Sequence, residues 1–223
     1  MAKKNKKKIS NRRKRKQKKK NNNQAVLLLV GVLAIAALAF VFWPKAGSVK
    51  ASNERIAQDP FLGQKVAKVT ILEYSDFGCP SCRAWHNAGI LDRIMENYGD
   101  EVKFVWKDFP VITPQSPKAA EAGQCALDQG KFWEYHDLIY TSQGLGISSL
   151  KRFAQEVGLD TNKFDKCLDS GLHKSTVDKD LNEARGLRLR GTPSFIVNGT
   201  KLVGPPSYES LANIIENNLA KGN

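Results

Sequence analysis

The pattern of hydrophobic and polar positions begins with a strongly polar stretch, residues 1–24, and continues with an uncharged apolar run, residues 25–43. This run contains 19 residues and is rich in Leu, Val and Ala. A helix rises about 1.5 Å per residue, so a helix of this length would cross the roughly 30 Å hydrocarbon core of a bilayer. We therefore predict a transmembrane anchor over residues 25–43.

Strand and helix patterns follow a polar, mixed segment, residues 44–65, which we predict to be a linker. Residues 66–74 and 102–106 are largely apolar and carry β-branched side chains, which is typical of buried strands. Between them, apolar residues recur at helical spacing as far as Gly99. A strand, a helix and a strand within about forty residues predict a βαβ unit with two parallel strands.

The remaining part of the chain is first helical and then mixed. From about residue 110 to 189 the pattern is almost entirely helical and is interrupted by glycines. Strand character returns on both sides of Asn198-Gly199, which is a strong hairpin signal, and a last helix begins near Ser207. The order β-α-β, helical insertion, β-β-α predicts an α/β protein with the thioredoxin fold, a helical domain inserted at about 110–189, and one N-terminal transmembrane helix before it.

The net charge of +13 belongs to the N-terminal tail. Residues 1–24 contain 13 Lys or Arg and no acid, and the 22 basic residues that follow equal the 22 acidic ones. Basic residues beside a span stay on the cytoplasmic side, so we predict a single-pass cell-membrane protein with an extracytoplasmic domain, residues 66–220. A cleaved signal is the alternative, because Ala46-Gly47-Ser48 supplies small residues beyond the run. The tail is expected to contact anionic lipid rather than nucleic acid, because no aromatic residues are interleaved with its charges.

Cys79 and Cys82 lie where a predicted strand gives way to a predicted helix. The free N–H groups and the dipole of a helix N-terminus stabilise a thiolate and lower the pKa of a cysteine there. The Cys79 thiolate would attack a disulfide, and Cys82, one helical turn on, would resolve the mixed disulfide. Half of a zinc site and a purely structural disulfide are the alternatives for this spacing. We predict no metal, because the other cysteines and the histidines show no paired ligand spacing.

Four stretches of the chain resemble the DsbA-like thiol-disulfide oxidoreductases, a branch of the thioredoxin superfamily. They are residues 73–82 (EYSDFGCPSC), 104–110 (FVWKDFP), 130–137 (GKFWEYHD) and 191–195 (GTPSF). The resemblance covers about residues 66–220. It implies the thioredoxin fold, disulfide exchange through Cys79 and Cys82, and no cofactor beyond this redox-active pair.

The same resemblance implies roles for three further residues. Pro193 would be a cis-proline beside the two sulfurs, and Thr192 before it would offer backbone groups to a bound substrate chain. Glu73 would be a buried acid that helps to move the proton of the inner cysteine. The alternatives are an ordinary trans proline at a strand start and a strand-end glutamate that reaches solvent. The chain departs from the best-known members at Pro80-Ser81, which has no histidine, and this lowers the expected strength of oxidation.

Other polar and sulfur-bearing residues have structural interpretations. Asp76 is predicted to cap the turn or the helix start, and His86 and His136 are predicted to be packed or surface residues. Cys125 and Cys167 lie on two predicted helices, and we predict that they form a structural disulfide. The alternative is a pair of buried free thiols that act as small apolar residues.

The leading functional hypothesis is an enzyme that introduces disulfide bonds into exported, cysteine-containing proteins. A membrane thiol oxidase, DsbB-like or VKOR-like, would reoxidise it. One alternative is a membrane-tethered reductase or isomerase, and another is a redox-inert, chaperone-like binding domain. Oxidation is favoured because a helix N-terminus stabilises the Cys79 thiolate only once the disulfide is open.

Overall fold

The computed structural model describes residues 59–221. The predicted tail, the predicted anchor and most of the predicted linker lie outside these residues. The strands are β1 (Phe61–Gly63), β2 (Val69–Ser75), β3 (Val102–Asp108), β4 (Ser194–Val197) and β5 (Thr200–Val203). The helices are α1 (Pro80–Asn87), α2 (Ile90–Tyr98), α3 (Ser116–Leu127), α4 (Phe132–Thr141), α5 (Ile147–Glu156), α6 (Thr161–Ser170), α7 (Lys174–Gly186) and α8 (Tyr208–Lys221).

The strands form one mixed sheet in the order β1-β3-β2-β4-β5. β2 and β3 run parallel, as the βαβ prediction requires, and the other neighbours are antiparallel. The register places Glu73 of β2 between Trp106 of β3 and Phe195 of β4. Successive side chains point to opposite faces, so Glu73 and its neighbour Tyr74 face opposite sides of the sheet.

Helices cover both faces of the sheet. On the Glu73 face, Ile71 and Phe104 pack in one apolar cluster with side chains of α1, α2 and α8, such as Trp85. On the Tyr74 face, Leu72 and Val105 pack with Ala184 of α7 and with residues that follow this helix. The central strand is therefore buried on both sides, which fits its nearly continuous apolar sequence.

The helical insertion, α3 to α7, has an apolar cluster of its own. Its helices bury Tyr135, Phe153 and Phe164 against one another, and the cluster continues to Phe77 in the turn after β2 and to Cys82 in the first turn of α1. The insertion therefore packs directly against the segment that carries the C-x-x-C pair.

Two local features differ from the sequence prediction. The single helix expected between the parallel strands is two helices, α1 and α2, because Gly89 adopts a left-handed conformation with φ of 66° and ends the first one. The second feature is β1, a short edge strand within the predicted linker, which pairs with β3. Its three residues show no clear alternation, so periodicity did not reveal it.

A buried lysine joins the sheet to α7 on the Tyr74 face. The Lys107 ammonium lies 2.8 Å from Asp59 Oδ2, 2.7 Å from Asp180 Oδ1 and 3.3 Å from Glu183 Oε2. The Tyr74 hydroxyl donates to Glu183 Oε1 at 3.0 Å. A buried charge requires such partners, and these contacts tie the start of the described chain to the middle of the sheet.

The predicted localisation needs correction. A bilayer span needs about 20 apolar residues in a helix, and the longest of the described helices, α8, has 14 residues. Within residues 59–221, no helix combines the length and the apolar character that a membrane span requires. We therefore withdraw the prediction of a single-pass membrane protein with an extracytoplasmic domain; the segment on which it was based, residues 25–43, lies outside the described residues.

Candidate active site

The C-x-x-C pair lies at the junction of β2 and α1. Cys79 is the N-cap residue of α1, with extended backbone angles of −86° and 117°, and Pro80 occupies the first turn. Proline is favoured there because its missing N–H would have no helical partner and its φ is already helical. The Cys82 N–H donates to Cys79 Sγ at 3.4 Å, so the sulfur receives one of the free N–H groups of the helix start.

The sulfur environment of Cys79 favours the thiolate. Hydrogen bonding with the Cys82 side chain lowers the pKa of Cys79 from 9.0 to about 6, although burial opposes this shift. The backbone N–H groups of Ser81 and Cys82 contribute to this lowering of the pKa. In its thiol form, Cys79 Sγ donates to the Thr192 carbonyl at 3.4 Å. Cys79 therefore carries a substantial thiolate fraction near neutral pH.

Cys82 has the opposite character. It is 0% exposed, and burial strongly raises its pKa, with further increases from the hydrogen bond to Cys79 and from the negative charge of Glu73. Both cysteines are free thiols in this structure. The pair thus combines an outer sulfur that ionises readily with an inner sulfur that retains its proton.

Glu73 lies wholly buried beneath the pair. Its side chain is 0% exposed, and its Oε1 and Oε2 atoms lie 3.2 and 3.0 Å from His86 Nε2. His86 is on α1, and its side chain is 7% exposed. Glu73 therefore does not reach solvent as a strand-end residue would; it forms a buried pair with a histidine. The sequence predicts His86 only as a packed or surface residue, and no local pattern indicates its pairing with Glu73 on another element.

Asp76 fixes the turn that precedes Cys79. Its Oδ1 accepts the Gly78 N–H at 2.7 Å, and its Oδ2 accepts the N–H groups of Val111 and Ile112, each at 2.7 Å. This confirms the prediction that Asp76 caps the turn. The contacts also hold the loop after β3 beside the redox pair, with the Val111 and Ile112 side chains exposed.

Tyr140 of the insertion supports the site from α4. Its hydroxyl lies 3.2 Å from Ser75 Oγ and donates to the Asp76 carbonyl at 3.3 Å. The guanidinium of Arg83 on α1 donates to the carbonyls of Tyr140 and Ser142. Periodicity marks Tyr140 only as a buried helix residue, and no local pattern indicates this connection.

The 191–195 motif lies directly against the sulfurs. The Thr192–Pro193 peptide bond is cis, Pro193 is buried, and the Thr192 carbonyl faces Cys79 as described. The Thr192 hydroxyl is buried and has no hydrogen-bond partner among the described residues. The fold thus brings the two distant motifs, residues 79–82 and 191–195, into contact.

The second cysteine pair lies in the insertion. Cys125 on α3 and Cys167 on α6 form a disulfide with a Cα–Cα distance of 5.9 Å. The two sulfurs and a ring nitrogen of His173 lie within 4.8 Å of one another. A zinc site requires thiolate ligands, and the disulfide removes both, so this group does not form a metal site in the described state.

Comparisons with known proteins agree with this geometry. A sequence model described as thioredoxin matches residues 56–217. A thioredoxin-like oxidoreductase from Silicibacter pomeroyi has a similar structure, with a TM-score of 0.69 and 25% identity, over 78% of this chain and 99% of that one. The catalytic domain of ScsC from Proteus mirabilis is also similar, with a TM-score of 0.66 and 26% identity, over 78% of this chain and 97% of that one. The thiol-disulfide exchange protein alpha-DsbA2 from Wolbachia pipientis has the same fold. Its TM-score is 0.63 and its identity 20%, over 74% of this chain and 94% of that one. The predicted resemblance to DsbA-like proteins is thereby confirmed.

One relative of similar sequence is named as an ion transporter rather than as an oxidoreductase. The chain is 33% identical over 207 residues to a protein named Na(+)/H(+) antiporter NhaA 1 from Mycolicibacterium vanbaalenii. The match covers 84% of this chain and 33% of that protein. The chain therefore spans about a third of the length of this relative, and nothing about ion transport follows for it.

Proposed function

Because the chain belongs to the thioredoxin family, we propose that its Cys79-Pro80-Ser81-Cys82 segment introduces disulfide bonds into cysteine-containing proteins. Thiol-disulfide oxidoreductase activity is the chemistry supported by the fold and by the relatives. The direction of the reaction and the nature of the substrates are what we add. Exported proteins are the proposed substrates, because proteins in oxidising compartments are those that keep stable disulfides.

The observation that carries this proposal is the contrast between the two sulfurs. The pKa of Cys79 is lowered to about 6 through hydrogen bonding with Cys82, whereas burial raises the pKa of Cys82. A thiolate at Cys79 is stabilised only when the disulfide is open, so this stabilisation favours the reduced protein. A protein whose reduced form is favoured passes its disulfide on to others.

The proposed reaction proceeds in two exchanges. A substrate thiolate attacks Cys79 Sγ, which breaks the Cys79–Cys82 bond and releases Cys82 as the leaving sulfur, which takes up a proton. A second substrate thiolate then attacks the substrate sulfur of the mixed disulfide and releases Cys79 as a thiolate. The substrate loses two electrons and gains a disulfide, and the cysteine pair gains the two electrons.

Thr192, Pro193 and Glu73 take supporting roles in this proposal. The Thr192 carbonyl lies 3.4 Å from Cys79 Sγ, where it can accept an N–H of an extended substrate chain. The Pro193 ring shapes the surface next to the sulfurs, and Glu73 takes part in proton exchange with Cys82. The Cys125–Cys167 disulfide is assigned a structural role because it joins two helices of the insertion.

Repeated turnover requires a partner that removes the two electrons. We propose a membrane thiol oxidase of the DsbB-like or VKOR-like class as this partner. The disulfide of such an oxidase would exchange with Cys79, the more ionised cysteine of the pair.

The reduction potential of the Cys79/Cys82 couple tests the direction. We expect a value between about −270 mV, typical of thioredoxin, and about −120 mV, typical of DsbA. Equilibration with glutathione buffers and thiol trapping would give the value, and oxidation of a reduced dithiol peptide would measure the activity. The Cys79→Ser variant is the control, since it should not oxidise the peptide. A value at or below that of thioredoxin would identify the protein as a reductase and overturn the proposed direction. Peptide binding that survives Cys79→Ser, in a protein whose wild type performs no thiol-disulfide exchange, would instead support the redox-inert binding domain.

A further inference from the structure

The buried sulfur of Cys82 creates a demand for proton exchange. When the substrate attacks Cys79, Cys82 leaves as a thiolate, and when Cys82 attacks a mixed disulfide, its thiol must first lose a proton. Cys82 is 0% exposed, and burial raises its pKa. Direct exchange with bulk water is therefore obstructed, and a group inside the protein must carry the proton.

Glu73 is suitably placed but is itself closed off from solvent. It pairs with His86, which lies one helical turn after Cys82 on α1, and its negative charge contributes to the raised pKa of Cys82 after burial and the hydrogen bond with Cys79. Its side chain is 0% exposed, and both of its oxygens face His86 Nε2, at 3.2 and 3.0 Å. A proton that reaches Glu73 from outside can therefore come from His86.

The ring of His86 is held in the orientation that this exchange needs. It stacks on Tyr140 with a centroid distance of 5.0 Å and an interplanar angle of 23°. It packs in T-shaped arrangements with His136 and Trp85, at centroid distances of 4.4 and 5.0 Å. A packed ring keeps Nε2 directed at Glu73, and the side chain retains 7% exposure, which Glu73 lacks.

The other ionisable groups around His86 do not offer an exchangeable proton near neutral pH. Burial lowers the pKa of His136, on α4, to about 4. Burial raises the pKa of Tyr140, on the same helix, well above 10. The Arg83 guanidinium, on α1, donates hydrogen bonds to the carbonyls of Tyr140 and Ser142, in α4 and just after it. Among residues 59–221, the group that faces His86 and remains as its proton partner is Glu73 on β2.

We propose that His86 is a positioning and proton-exchange residue, which acts on Cys82 through Glu73. The pair holds one proton between the carboxylate and Nε2. This proton is transferred to the Cys82 thiolate when the disulfide opens, and His86 then takes another from solvent at its exposed edge. The reverse transfer occurs when Cys82 attacks. The inference rests on the proposed thiol-disulfide exchange but not on its direction.

His86→Gln tests the proposal, because glutamine can still hydrogen-bond to Glu73 but does not titrate near neutral pH. General acid–base groups commonly contribute about 100-fold or more, and partial replacement by water should leave a loss of about 10- to 100-fold in dithiol oxidation at pH 7. Stopped-flow rates between pH 5 and 9 should also lose the pH dependence that belongs to the pair. Alkylation of Cys79 in the reduced protein by iodoacetamide should change by less than about twofold, because it requires no proton transfer at Cys82.

Two further variants keep the test decisive. His173→Gln removes a histidine that pairs with Asp128 at 2.7 Å in the insertion, and it should behave like the wild type. Glu73→Gln should reproduce the loss seen in His86→Gln, and the double variant should be no slower than either single one. If His86→Gln does not fold, His86→Asn replaces it in the same measurements, because asparagine also has no titratable group.

The contrary outcomes are separable. A wild-type pH profile in His86→Gln and Glu73→Gln, or an equal loss in Cys79 alkylation, would overturn the role of His86 alone. A wild-type protein without Cys79-dependent exchange in either direction would overturn the proposed function as well. If the protein proves to be a reductase, the same proton transfer can be measured as the rate at which Cys82 attacks a Cys79–glutathione mixed disulfide. The same variants should lower this rate.

Discussion

The two cysteine pairs of this chain show how position determines what a sulfur does. Cys79 and Cys82 are three positions apart at the start of a helix and are free thiols, whereas Cys125 and Cys167 are 42 positions apart on two helices and form a disulfide. The first pair contacts the Thr192 carbonyl of a second motif and an N–H group of the helix start. The second contacts the apolar side chains of the insertion. A pair of cysteine sulfurs is therefore placed for disulfide exchange in the first case and for cross-linking two helices in the second.

The largest difference between the pairs should appear in activity. Cys79→Ser should abolish disulfide transfer to a dithiol peptide, because no other described cysteine is both free and predominantly ionised near neutral pH. The double variant Cys125→Ala, Cys167→Ala should keep its rate within about twofold. Peptide oxidation followed by fluorescence or mass would measure both. Loss of activity in the second variant, with its fold intact, would show that the insertion disulfide takes part in the exchange.

Stability should respond in the opposite way. Closing a loop of this size stabilises a protein by about 4 kcal/mol in the chain-entropy model, and measured values are often lower. We therefore expect the Cys125→Ala, Cys167→Ala variant to lose about 2 to 4 kcal/mol of unfolding free energy. Urea unfolding with the Cys79/Cys82 pair held in one redox state would measure it. A change below about 1 kcal/mol would mean that the unfolded chain gains little freedom when this link is lost.

A pH series should sharpen the contrast for the first pair. The pKa of Cys79 is lowered to about 6 from 9.0 through hydrogen bonding with Cys82. A depressed pKa stabilises the folded, reduced protein fully above pH 9, and this gain is lost as the pH falls through 6. At pH 7, about one pH unit above the folded pKa, the gain is about 1.4 kcal/mol, which equals about 30 mV for a two-electron couple.

Unfolding of the reduced and oxidised forms at pH 5 and pH 7 would measure this gain. The difference in stability between reduced and oxidised protein should grow in favour of the reduced form as the pH rises. The Cys125–Cys167 disulfide has no proton to release and should contribute nothing to this slope. A difference that does not change with pH would mean that the Cys79 thiolate is not stabilised by its surroundings.

The smallest effect concerns the residue between the active cysteines. Ser81→His would place an imidazole near Cys79, and a partly protonated ring should favour the thiolate. We expect the pKa of Cys79 to fall by roughly 0.5 and the potential to rise by about 15 mV. Thiolate absorbance against pH and glutathione equilibration would measure the two changes. Lys163→His, a substitution beside the second pair, is the matched control and should change neither value.

Local patterns were sufficient for the main elements of the fold but not for several of its contacts. The parallel strands, the helical insertion and the hairpin at Asn198-Gly199 follow from periodicity and turn residues, because each is set by nearby sequence. The break at Gly89 was missed, since the apolar spacing continues across it. The strand β1 was missed because its pairing with β3 is decided by residues some forty positions away.

The site divides in a similar way. Motifs singled out Cys79, Cys82 and Glu73, and a turn residue, Asp76, was interpreted from its type and place. The Glu73–His86 pair could not be derived, because it joins a strand to a helix across the fold and depends on the packing of Tyr140. Pairings between elements are fixed by tertiary packing, which a single sequence does not display.

The contacts of Asp59 also determine where the shortest fragment that keeps a working redox centre in a fusion protein can begin. A chain cut at the predicted domain start, residue 66, would lose β1 and one of the three carboxylates around Lys107. It would also lose the Phe61 carbonyl, which accepts the indole N–H of Trp133 on α4. A fusion protein that borrows this redox centre should therefore begin at or before Asp59, because the edge strand and the buried lysine behave as parts of the same folding unit.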